Sequence, residues 1–534
     1  MPLVQIAQIK GMLMLKPLPV GLYTFRDIIE GGFLYVDKTR WIYELVRYRK
    51  GIYFLSRPRR FGKSLLVSTL SEIFHGNRDL FQGLWLYASD YDWKEHPVIH
   101  LDFSQYTADN AEQLKSIIKG YLQDVAFDHG ITLREDGYQQ QFGSLIRQLA
   151  ARERVVILID EYDKPILDHL DNLEEAQRVR DVLKAFYTVI KSLDRYIRFV
   201  FLTGISKFSK VGVFSGLNNL NDLTMIPRFA AAVGLTEEEI RTHFADYIAS
   251  FAEKEATTAE ELLVQMRQWY NGFCFAPNGE NVYNPFSTLL FFEHQRFASF
   301  WFETGTPTFL INLIREKNYD IEIIEDLIVP ETVFSVYEVE NLNITPLLFQ
   351  TGYLTIKDYD KETLLYTLYY PNYEVENAFL NYLLNSYKST QRELVEKHLW
   401  DLVHALQANA LDAFFTTPAI FFAQVPYNIQ IKQEKYYQTI FYLIFKLIGL
   451  KIDAELHTNQ GRIDAVIELA DRIYLFEFKL DGSAAEALQQ IKDNQYVQRY
   501  RSTGKPLHLI GANFDTATRT ITEWKLEDDS ATDT

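Results

Sequence analysis

The chain has 534 residues, 47% of them hydrophobic and 23% charged, and this length suits about three domains at roughly 150 residues each. The composition excludes a disordered or fibrous protein, and the single cysteine, Cys274, excludes an internal disulfide framework or a cysteine-rich metal site. No run approaches the ~20 apolar residues of a membrane span, and the first residues lack a signal-peptide pattern. We therefore expect a cytoplasmic protein without a membrane partner.

The net charge of −17 is unevenly distributed along the chain. Residues 1–64 carry +8, residues 430–534 carry −3, and the residues between them carry −22. Binding of nucleic acid is driven largely by Lys and Arg, so the total charge alone would disfavour it. The basic or near-neutral ends leave room for a polynucleotide, and the acidic middle indicates separate domains with separate partners.

The first part of the sequence predicts a parallel sheet covered by helices on both faces. A short strand is predicted at 33–36, with a helix starting near Asp37 or Thr39. Continuous apolar runs joined by helical stretches are typical of buried parallel strands. The predicted strands are GIYFLS (51–56), HPVIHLDFS (96–104), ERVVILIDEYD (153–163) and IRFVFLTG (197–204).

The remainder of the chain predicts two further regions. The middle is mostly helical, with a hairpin expected around TGYLTIKDYDKETLLYTLYYP, and the last region runs helix, three strands, helix, strand. The predicted division is an extension (1–16), an α/β domain (17–235), a helical lid or linker (236–406), a second α/β domain (407–526) and an acidic tail (527–534).

The segment RPRRFGKS (57–64) has the features of a phosphate-binding loop. Gly62, Lys63 and Ser64 stand between a buried strand and a helix, where backbone N–H groups, a lysine and a hydroxyl for Mg²⁺ can meet a phosphate. Arg57 takes the place of the first glycine in GxxxxGK[ST], which restricts the turn. A Gly-Lys-Ser tripeptide at a helix start also arises by chance.

A second half of the predicted site ends the VVILI strand. Asp160 can hold Mg²⁺ through water, and Glu161 can orient or deprotonate the attacking water. Alternatively, these carboxylates and Asp163 only end a strand and start a helix. Two independent halves in the right structural context favour ATP binding with Mg²⁺.

Residues 17 to about 290 resemble the AAA-ATPase-like family that is found fused to a nuclease-type domain. The matching stretches are LPVG, FLYVDKT, RPRRFGKSLL, IDEYDKP, LTGISKFSKVGVFSGLNNLNDLT, WYNGFCF and VYNPFS. In that family the loop is written RPRRFGKS, so Arg57 resembles a family feature.

The resemblance implies a P-loop NTPase fold, with ATP and Mg²⁺ as cofactors. Its implied nucleotide-binding residues are Gly62, Lys63, Ser64, Leu65, Asp160 and Thr203. Thr203 or Ser206 would sense the γ-phosphate, and Lys207 and Arg59 would face phosphate. Each of these two cations could equally be an exposed surface charge.

The segment GRIDAVIELADRIYLFEFKL contains a candidate metal site. Glu477 and Lys479 share one face of a strand, with Phe476 and Phe478 on the other. A hairpin turning at 470–472 would bring Asp464 close to Glu477. The two carboxylates and a backbone carbonyl would then hold Mg²⁺ or Mn²⁺, with Lys479 beside the attacking water. Glu-x-Lys on a strand is more often a solvated face, but flanking apolar residues make unpaired charges costly here.

Residues 430–520 resemble the PD-(D/E)XK nuclease superfamily, which has a restriction-endonuclease-like α/β fold. The resemblance implies Asp464, Glu477 and Lys479 as the catalytic core, with Glu434 and Gln490 as accessory residues. His457 could act near the site, and four tyrosines could stack on bases, although packing or surface roles are the usual ones for such residues. These are Tyr436, Tyr437, Tyr496 and Tyr500.

Three functional hypotheses follow. The first is an ATP-dependent switch that controls a metal-dependent nuclease acting on DNA or RNA, in a chain that could also form a homo-oligomer. The second keeps the ATP switch but makes the C-terminal domain a recognition module that does not cut. The third, a small-molecule kinase, is disfavoured because no acceptor-site motif accompanies the loop.

Overall fold

The computed structural model describes most of the chain between residues 15 and 529. The described ranges are 15–207, 213–214, 217, 219–301, 308–317, 319, 321–334, 343–386, 392–417, 433–452, 456–458, 464–493, 496–501, 503–518 and 520–529. The chain divides into two compact units, Met1–Thr306 with Ile328–Val375, and Pro307–Leu327 with Glu376–Thr534. The division therefore falls within the predicted middle region. Among the described helices, none has the length and apolar character needed to cross a membrane.

The first unit is built on a five-stranded parallel sheet. Its strands are β1 (Gly51–Ser56), β2 (Val98–Asp102), β3 (Val155–Asp160), β4 (Ile197–Gly204) and β5 (Asn221–Asp222). The spatial order is β2-β3-β4-β1-β5. Every residue of β3 and β4 is buried, as expected for strands covered on both faces, and this confirms the predicted α/β class.

The first unit also contains helices that cover this sheet and further helices that follow it in the chain. They are α1 (Phe25–Glu30), α2 (Thr39–Val46), α3 (Lys63–Phe74), α4 (Ala111–Asp128), α5 (Tyr138–Leu149), α6 (Lys164–Leu167), α7 (Leu173–Ser192), α8 (Glu237–His243), α9 (Ala245–Lys254), α10 (Ala259–Tyr270) and α11 (Pro285–His294). Helices α9 to α11 form an apolar core of their own, in which Phe251, Met266 and Phe291 are buried.

The later segment of the first unit contains the predicted hairpin. Strands β7 (Thr355–Asp360) and β8 (Leu365–Tyr369) pair antiparallel, and β6 (Leu327–Pro330) pairs with β8. Helix α13 (Ile344–Thr351) precedes the hairpin, and helix α14 (Tyr373–Ser386) begins in the first unit.

The second unit is a mixed α/β domain with helices before its sheet. Strands β9 (Leu456–Thr458), β10 (Asp464–Glu468), β11 (Ile473–Leu480), β12 (Leu507–Asp515) and β13 (Thr520–Asp529) are ordered β13-β12-β11-β10-β9. Only the β11–β12 pair is parallel. The helices are α12 (Thr308–Glu316), α15 (Arg392–Gln407), α16 (Leu411–Thr416), α17 (Gln433–Ile452), α18 (Ala484–Asp493) and α19 (Tyr496–Arg501).

Short 3₁₀ turns supplement these helices. They are Arg78–Phe81, Trp85–Ala88, Asp194–Tyr196 and Pro227–Phe229 in the first unit, with Ile321–Asp326 and Glu331–Phe334 later in the chain.

Two local predictions differ from the structure. Residues 33–36 form no strand, because the N–H of Leu34 bonds to the carbonyl of Pro17 outside any sheet. Residues 527–529, predicted as part of an acidic tail, are the end of β13. Their acidic side chains pair with cations of the same domain, including Lys492 with Glu527 and Arg501 with Asp529.

Candidate functional site

The predicted phosphate loop joins the centre of the parallel sheet to a helix N-terminus. Strand β1 ends at Ser56, and the twelve-residue helix α3 begins at Lys63. Gly62 has φ +89°, a left-handed conformation that is unfavourable for residues other than glycine. The open N–H groups of the first helical turn therefore follow the loop directly, as a phosphate site requires.

Lys63 lies inside the loop with only 5% of its surface exposed. Its Nζ donates to the carbonyl oxygens of Arg57 and Pro58, at 3.0 and 2.9 Å. Burial lowers the pKa of the Lys63 ammonium, and the carboxylates of Glu161 and Asp160 partly oppose this shift. The lysine and both predicted carboxylates therefore share one electrostatic site.

Asp160 joins the two halves of the predicted nucleotide site. The Ser64 side chain lies close enough to the Asp160 carboxyl to lower its pKa, and the backbone N–H of Glu161 donates to Asp160 Oδ1 at 3.0 Å. Burial raises the pKa of Asp160 to about 6, against the lowering effects of the Ser64 side chain and the Lys63 charge. A neighbouring serine hydroxyl and carboxylate suit Mg²⁺, which takes few protein oxygens and completes its shell with water and phosphate.

Glu161 has φ +48°, an uncommon left-handed conformation for a residue with a long side chain. It follows the last residue of β3, and the next N–H, from Tyr162, donates to the carbonyl of Thr203 in β4. Such strain is found where the surrounding structure fixes a residue at a functional position.

Two further aspartates contribute to this edge of the sheet, although no sequence motif indicates a functional role for them. Asp102 is the partner of Asp160 in the β2–β3 register and adds to the raised pKa of Asp160. Asp163 is 1% exposed and accepts bonds from the N–H and hydroxyl of Ser206, at 2.6 and 2.5 Å. A Cβ at Gly204 would lie 2.2 Å from Asp163 Oδ1, so only glycine permits this approach.

The predicted phosphate sensors are engaged within the protein. Thr203 is fully buried, and its hydroxyl donates to the carbonyl of Leu55 at 2.7 Å, while Ser206 is held by Asp163. Lys207 forms an ion pair with Asp222. The backbone carbonyl of Arg59 accepts a hydrogen bond from the Trp301 indole. This contact involves the Arg59 main chain and not its guanidinium.

Arg57 is a buried structural cation. It is 1% exposed, and its guanidinium donates to the carbonyls of Ser56, Thr224 and Phe229 at 2.8, 2.9 and 3.1 Å. The same group lies 4.3 Å from the centre of the Phe275 ring. Burial lowers the pKa of Arg57 to about 9. Arginine at the first position of the loop thus ties the end of β1 to the segment after β5.

An apolar pocket of about 100 Å³ borders the phosphate loop. Helix α3 and the loop contribute one wall, and residues 34–36 and 232–235 contribute others. Lys38 also lines the pocket; it is partly buried, forms an ion pair with Glu239 at 2.6 Å and donates to the carbonyl of Ala231 at 3.0 Å. The loop-side residues are Phe61, Gly62, Leu65, Leu66 and Thr69.

The predicted hairpin of the second unit forms with the expected register. Asp464 in β10 stands opposite Glu477 in β11, and the N–H of Leu469 bonds to the carbonyl of Arg472 at the turn. Phe476 and Phe478 pack on Phe445 of α17, with ring centres 5.2 and 5.5 Å away. The two phenylalanines therefore lie on the opposite face from Glu477, as predicted.

Glu477 and Lys479 lie together on the face covered by α18. Glu477 is 2% exposed, and its Oε1 is 3.6 Å from Lys479 Nζ. The amide oxygen of Gln490, on α18, accepts a hydrogen bond from the same Nζ. The structure thus brings three of the predicted residues into one polar group beneath a helix.

Of the remaining predicted residues of this domain, the structure describes the side chain of only one, Tyr500. The side chains of Asp464, Glu434, His457 and three of the four tyrosines lie outside the described part of the chain. Tyr500 is 6% exposed and packs in the hydrophobic core of the second unit, so it presents no ring to a base. Among the side chains that are described, no group of three or more His, Cys, Asp or Glu could hold a metal ion.

Comparison with known proteins identifies relatives of both domains. Residues 19–214 match the family model of a predicted AAA-ATPase, and residues 432–524 match the PD-(D/E)XK nuclease superfamily. A curated protein of Azotobacter chroococcum mcd 1, "Uncharacterized protein in vnfD 5'region", is 40% identical over 527 residues, covering 96% of this chain and 99% of the relative.

A solved structure, that of the Aeropyrum pernix ORC2 protein in ADPNP–ADP complexes, matches 70% of this chain and 98% of its own. The match has 11% identity and a TM-score of 0.24, a level that carries no argument about fold or function.

Proposed function

Because the chain belongs to the family of AAA-ATPase-like proteins that carry a C-terminal PD-(D/E)XK nuclease superfamily domain, we propose that it is an ATP-controlled nuclease. In this proposal the first unit binds and hydrolyses Mg²⁺-ATP. The C-terminal domain then cuts DNA or RNA with Mg²⁺ or Mn²⁺, in the cytoplasm where ATP is available.

The proximity of the Ser64 side chain to the Asp160 carboxyl carries the first half of the proposal. It brings a loop hydroxyl and a strand-end carboxylate to the same point, beside the buried ammonium of Lys63. Ser64 and Asp160 would hold Mg²⁺, which would neutralise negative charge on the phosphates, and Lys63 and the α3 N-terminus would bind phosphate oxygens. In this proposal Glu161, which follows Asp160, orients or deprotonates a water for attack on the γ-phosphate.

The apolar pocket supports a nucleotide rather than a bare phosphate as the ligand. It begins at Gly62 and Leu65, so a molecule whose phosphates lie on the loop can reach it with its base. Apolar walls with a few polar groups at their edge are typical of sites for planar ligands.

The hairpin register supports the second half of the proposal. Asp464 opposite Glu477 places two carboxylates on adjacent strands, and Lys479 is 3.6 Å from Glu477. Carboxylates that share a divalent metal, with a lysine beside the attacking water, perform phosphodiester hydrolysis by stabilising the added negative charge.

Calorimetric titration of the full chain with ATP in Mg²⁺ tests the nucleotide half. Wild type should bind, and Lys63→Ala should lose more than about 100-fold in affinity, since loss of a buried charged contact costs about 3 kcal/mol or more. Lys115→Ala, which removes a lysine paired with Glu112 on α4, should bind as wild type does. Equal affinity of wild type and Lys63→Ala would overturn the assignment.

A further inference from the structure

A buried carboxyl outside the proposed catalytic groups is connected to the phosphate loop by hydrogen bonds. Glu374 is fully buried in the first turn of α14. Its Oε1 accepts the backbone N–H of Trp301 at 2.8 Å and the hydroxyl of Ser287 at 3.0 Å. Its Oε2 has no hydrogen-bond partner among the described residues. Burying a carboxyl with an unpaired oxygen costs folding free energy. An apolar side chain of similar size would fill the same space without that cost, so a space-filling role does not explain a glutamate here.

Trp301 carries the connection to the loop. Its indole Nε1 donates to the carbonyl of Arg59 at 3.0 Å, and its ring packs against Tyr353 with centres 5.5 Å apart. The backbone N–H and the indole N–H of one residue therefore bond to Glu374 and to the phosphate loop respectively.

A second contact holds the same stretch of loop. Gly352 has φ +89°, and a Cβ at this position would lie 2.7 Å from Pro58 and 3.4 Å from the Trp301 ring. Lys63 donates hydrogen bonds to the carbonyls of Arg57 and Pro58, and Trp301 donates one to the next carbonyl, that of Arg59. The backbone of 57–59 is thus held from two sides.

From these contacts we infer that Glu374 and Trp301 are positioning residues for nucleotide binding: Glu374 fixes the Trp301 backbone, and the Trp301 indole fixes the Arg59 carbonyl in the conformation that presents the loop to phosphate. This inference rests on the proposed nucleotide site. In this inference neither residue touches the ligand. Removing either one allows the loop to adopt conformations that do not bind phosphate, and the apparent ATP affinity falls as these conformations become populated.

The test measures ATP affinity and turnover of the full chain. Trp301→Phe keeps an aromatic ring but removes the indole N–H with part of the bicyclic ring, so it should raise the Kd for ATP by about 3- to 10-fold, the range of one hydrogen bond, with kcat at saturation little changed. Trp93→Phe is the matched control. Trp93 is in the same unit, and its buried Nε1 has no described hydrogen-bond partner.

Glu374 is tested by a pair of variants that both remove the ionisable group. Glu374→Gln keeps an acceptor oxygen for Trp301 and should retain wild-type affinity, whereas Glu374→Met cannot accept the bond and should match the Trp301→Phe loss while remaining folded. If Glu374 only stabilises the fold, the ATP affinity of the two variants should instead decrease together with their unfolding temperature.

The outcomes separate the two claims. If wild type fails to bind ATP, the proposed function fails. If wild type binds and Lys63→Ala does not, but Trp301→Phe and Glu374→Met bind as tightly as wild type, the positioning inference is overturned and the nucleotide site stands.

Discussion

The Ser64 side chain lies beside the carboxyl of Asp160 and lowers its pKa, and this proximity joins the start of α3 to the end of β3 across the carboxyl edge of the parallel sheet. Strand β4 lies between β1 and β3, so the two residues meet only because all three strands run parallel and end at one edge.

This contact predicts a shared Mg²⁺ ion. Ser64→Ala should therefore weaken Mg²⁺-ATP binding by about 10-fold or more, and ATP binding in EDTA should change much less. Ser71→Ala, on the same helix but outside the pocket, is a control. A Ser64→Ala loss of the same size with and without Mg²⁺ would contradict the shared ion.

Glu161 should separate binding from hydrolysis. Glu161→Gln keeps the size of the side chain but cannot accept a proton, so ATP should still bind while kcat falls by about 100-fold or more. Steady-state phosphate release and the Kd for ATP give the two quantities. Glu153→Gln, which removes a carboxylate before β3 that pairs with Lys94, should change neither. Unchanged kcat in Glu161→Gln would remove this residue from the catalytic machinery.

Arg57 should be needed for folding in spite of replacing a glycine of the usual motif. Arg57→Gly restores GxxxxGK[ST] but leaves three backbone carbonyls without their guanidinium partner and opens a cavity, so we expect a loss of about 3 kcal/mol or more in unfolding free energy. Arg60→Gly provides the contrast. Arg60 is exposed and has φ +67°, so glycine there should be neutral or slightly stabilising. Chemical denaturation measures both, and equal stability of Arg57→Gly and wild type would contradict the structural role.

Glu374 predicts a pH dependence of stability. Burial raises its pKa to about 7 from an ordinary value of 4.5, so the folded state binds this proton more tightly than the unfolded state. The associated stability is present at low pH and is lost as pH rises from about 4.5 to about 7. Glu374→Gln removes this loss and should gain up to about 3 kcal/mol over wild type between pH 5 and pH 8, from about 1.4 kcal/mol per pKa unit.

The comparison is made on the full chain, as the difference between the two proteins at each pH, which cancels the titration of all other groups. Ser287→Ala, which removes one of the hydrogen bonds to the carboxyl, should instead raise the pKa further and extend the loss to higher pH. A difference between wild type and Glu374→Gln that does not vary with pH would show that the carboxyl is ionised throughout or exposed to water.

The features that could be predicted from sequence are those set by local pattern. Strand β1 has the predicted bounds, and β3 lies within its apolar run, because continuous hydrophobic segments leave few alternatives to a buried strand. The Asp464–Glu477 register followed from the alternation of side chains and the position of one turn. Strand β13 was missed since its residues are mostly exposed and charged, with no apolar alternation to reveal it.

The groups that hold the phosphate loop could not be predicted in the same way. Trp301, Gly352 and Glu374 are far from residues 57–64 in sequence and meet them only through tertiary packing. Arg57 was recognisable as a departure from the motif, but two of its three carbonyl partners, Thr224 and Phe229, lie in the distant segment after β5. No periodicity within a single segment records such contacts.

The most direct measurement is cleavage of a panel of single-stranded and duplex DNA and RNA by the full chain, with Mg²⁺ or Mn²⁺ and with or without ATP. Wild type should cut at least one substrate in a metal-dependent manner, and Lys63→Ala should lose the response to ATP. Glu477→Gln and Lys479→Ala should abolish cutting, while Lys505→Ala, a lysine of the same domain paired with Glu468, should cut normally. Wild-type protein that binds ATP and nucleic acid but cuts nothing, or Glu477→Gln that cuts as well as wild type, would contradict the account.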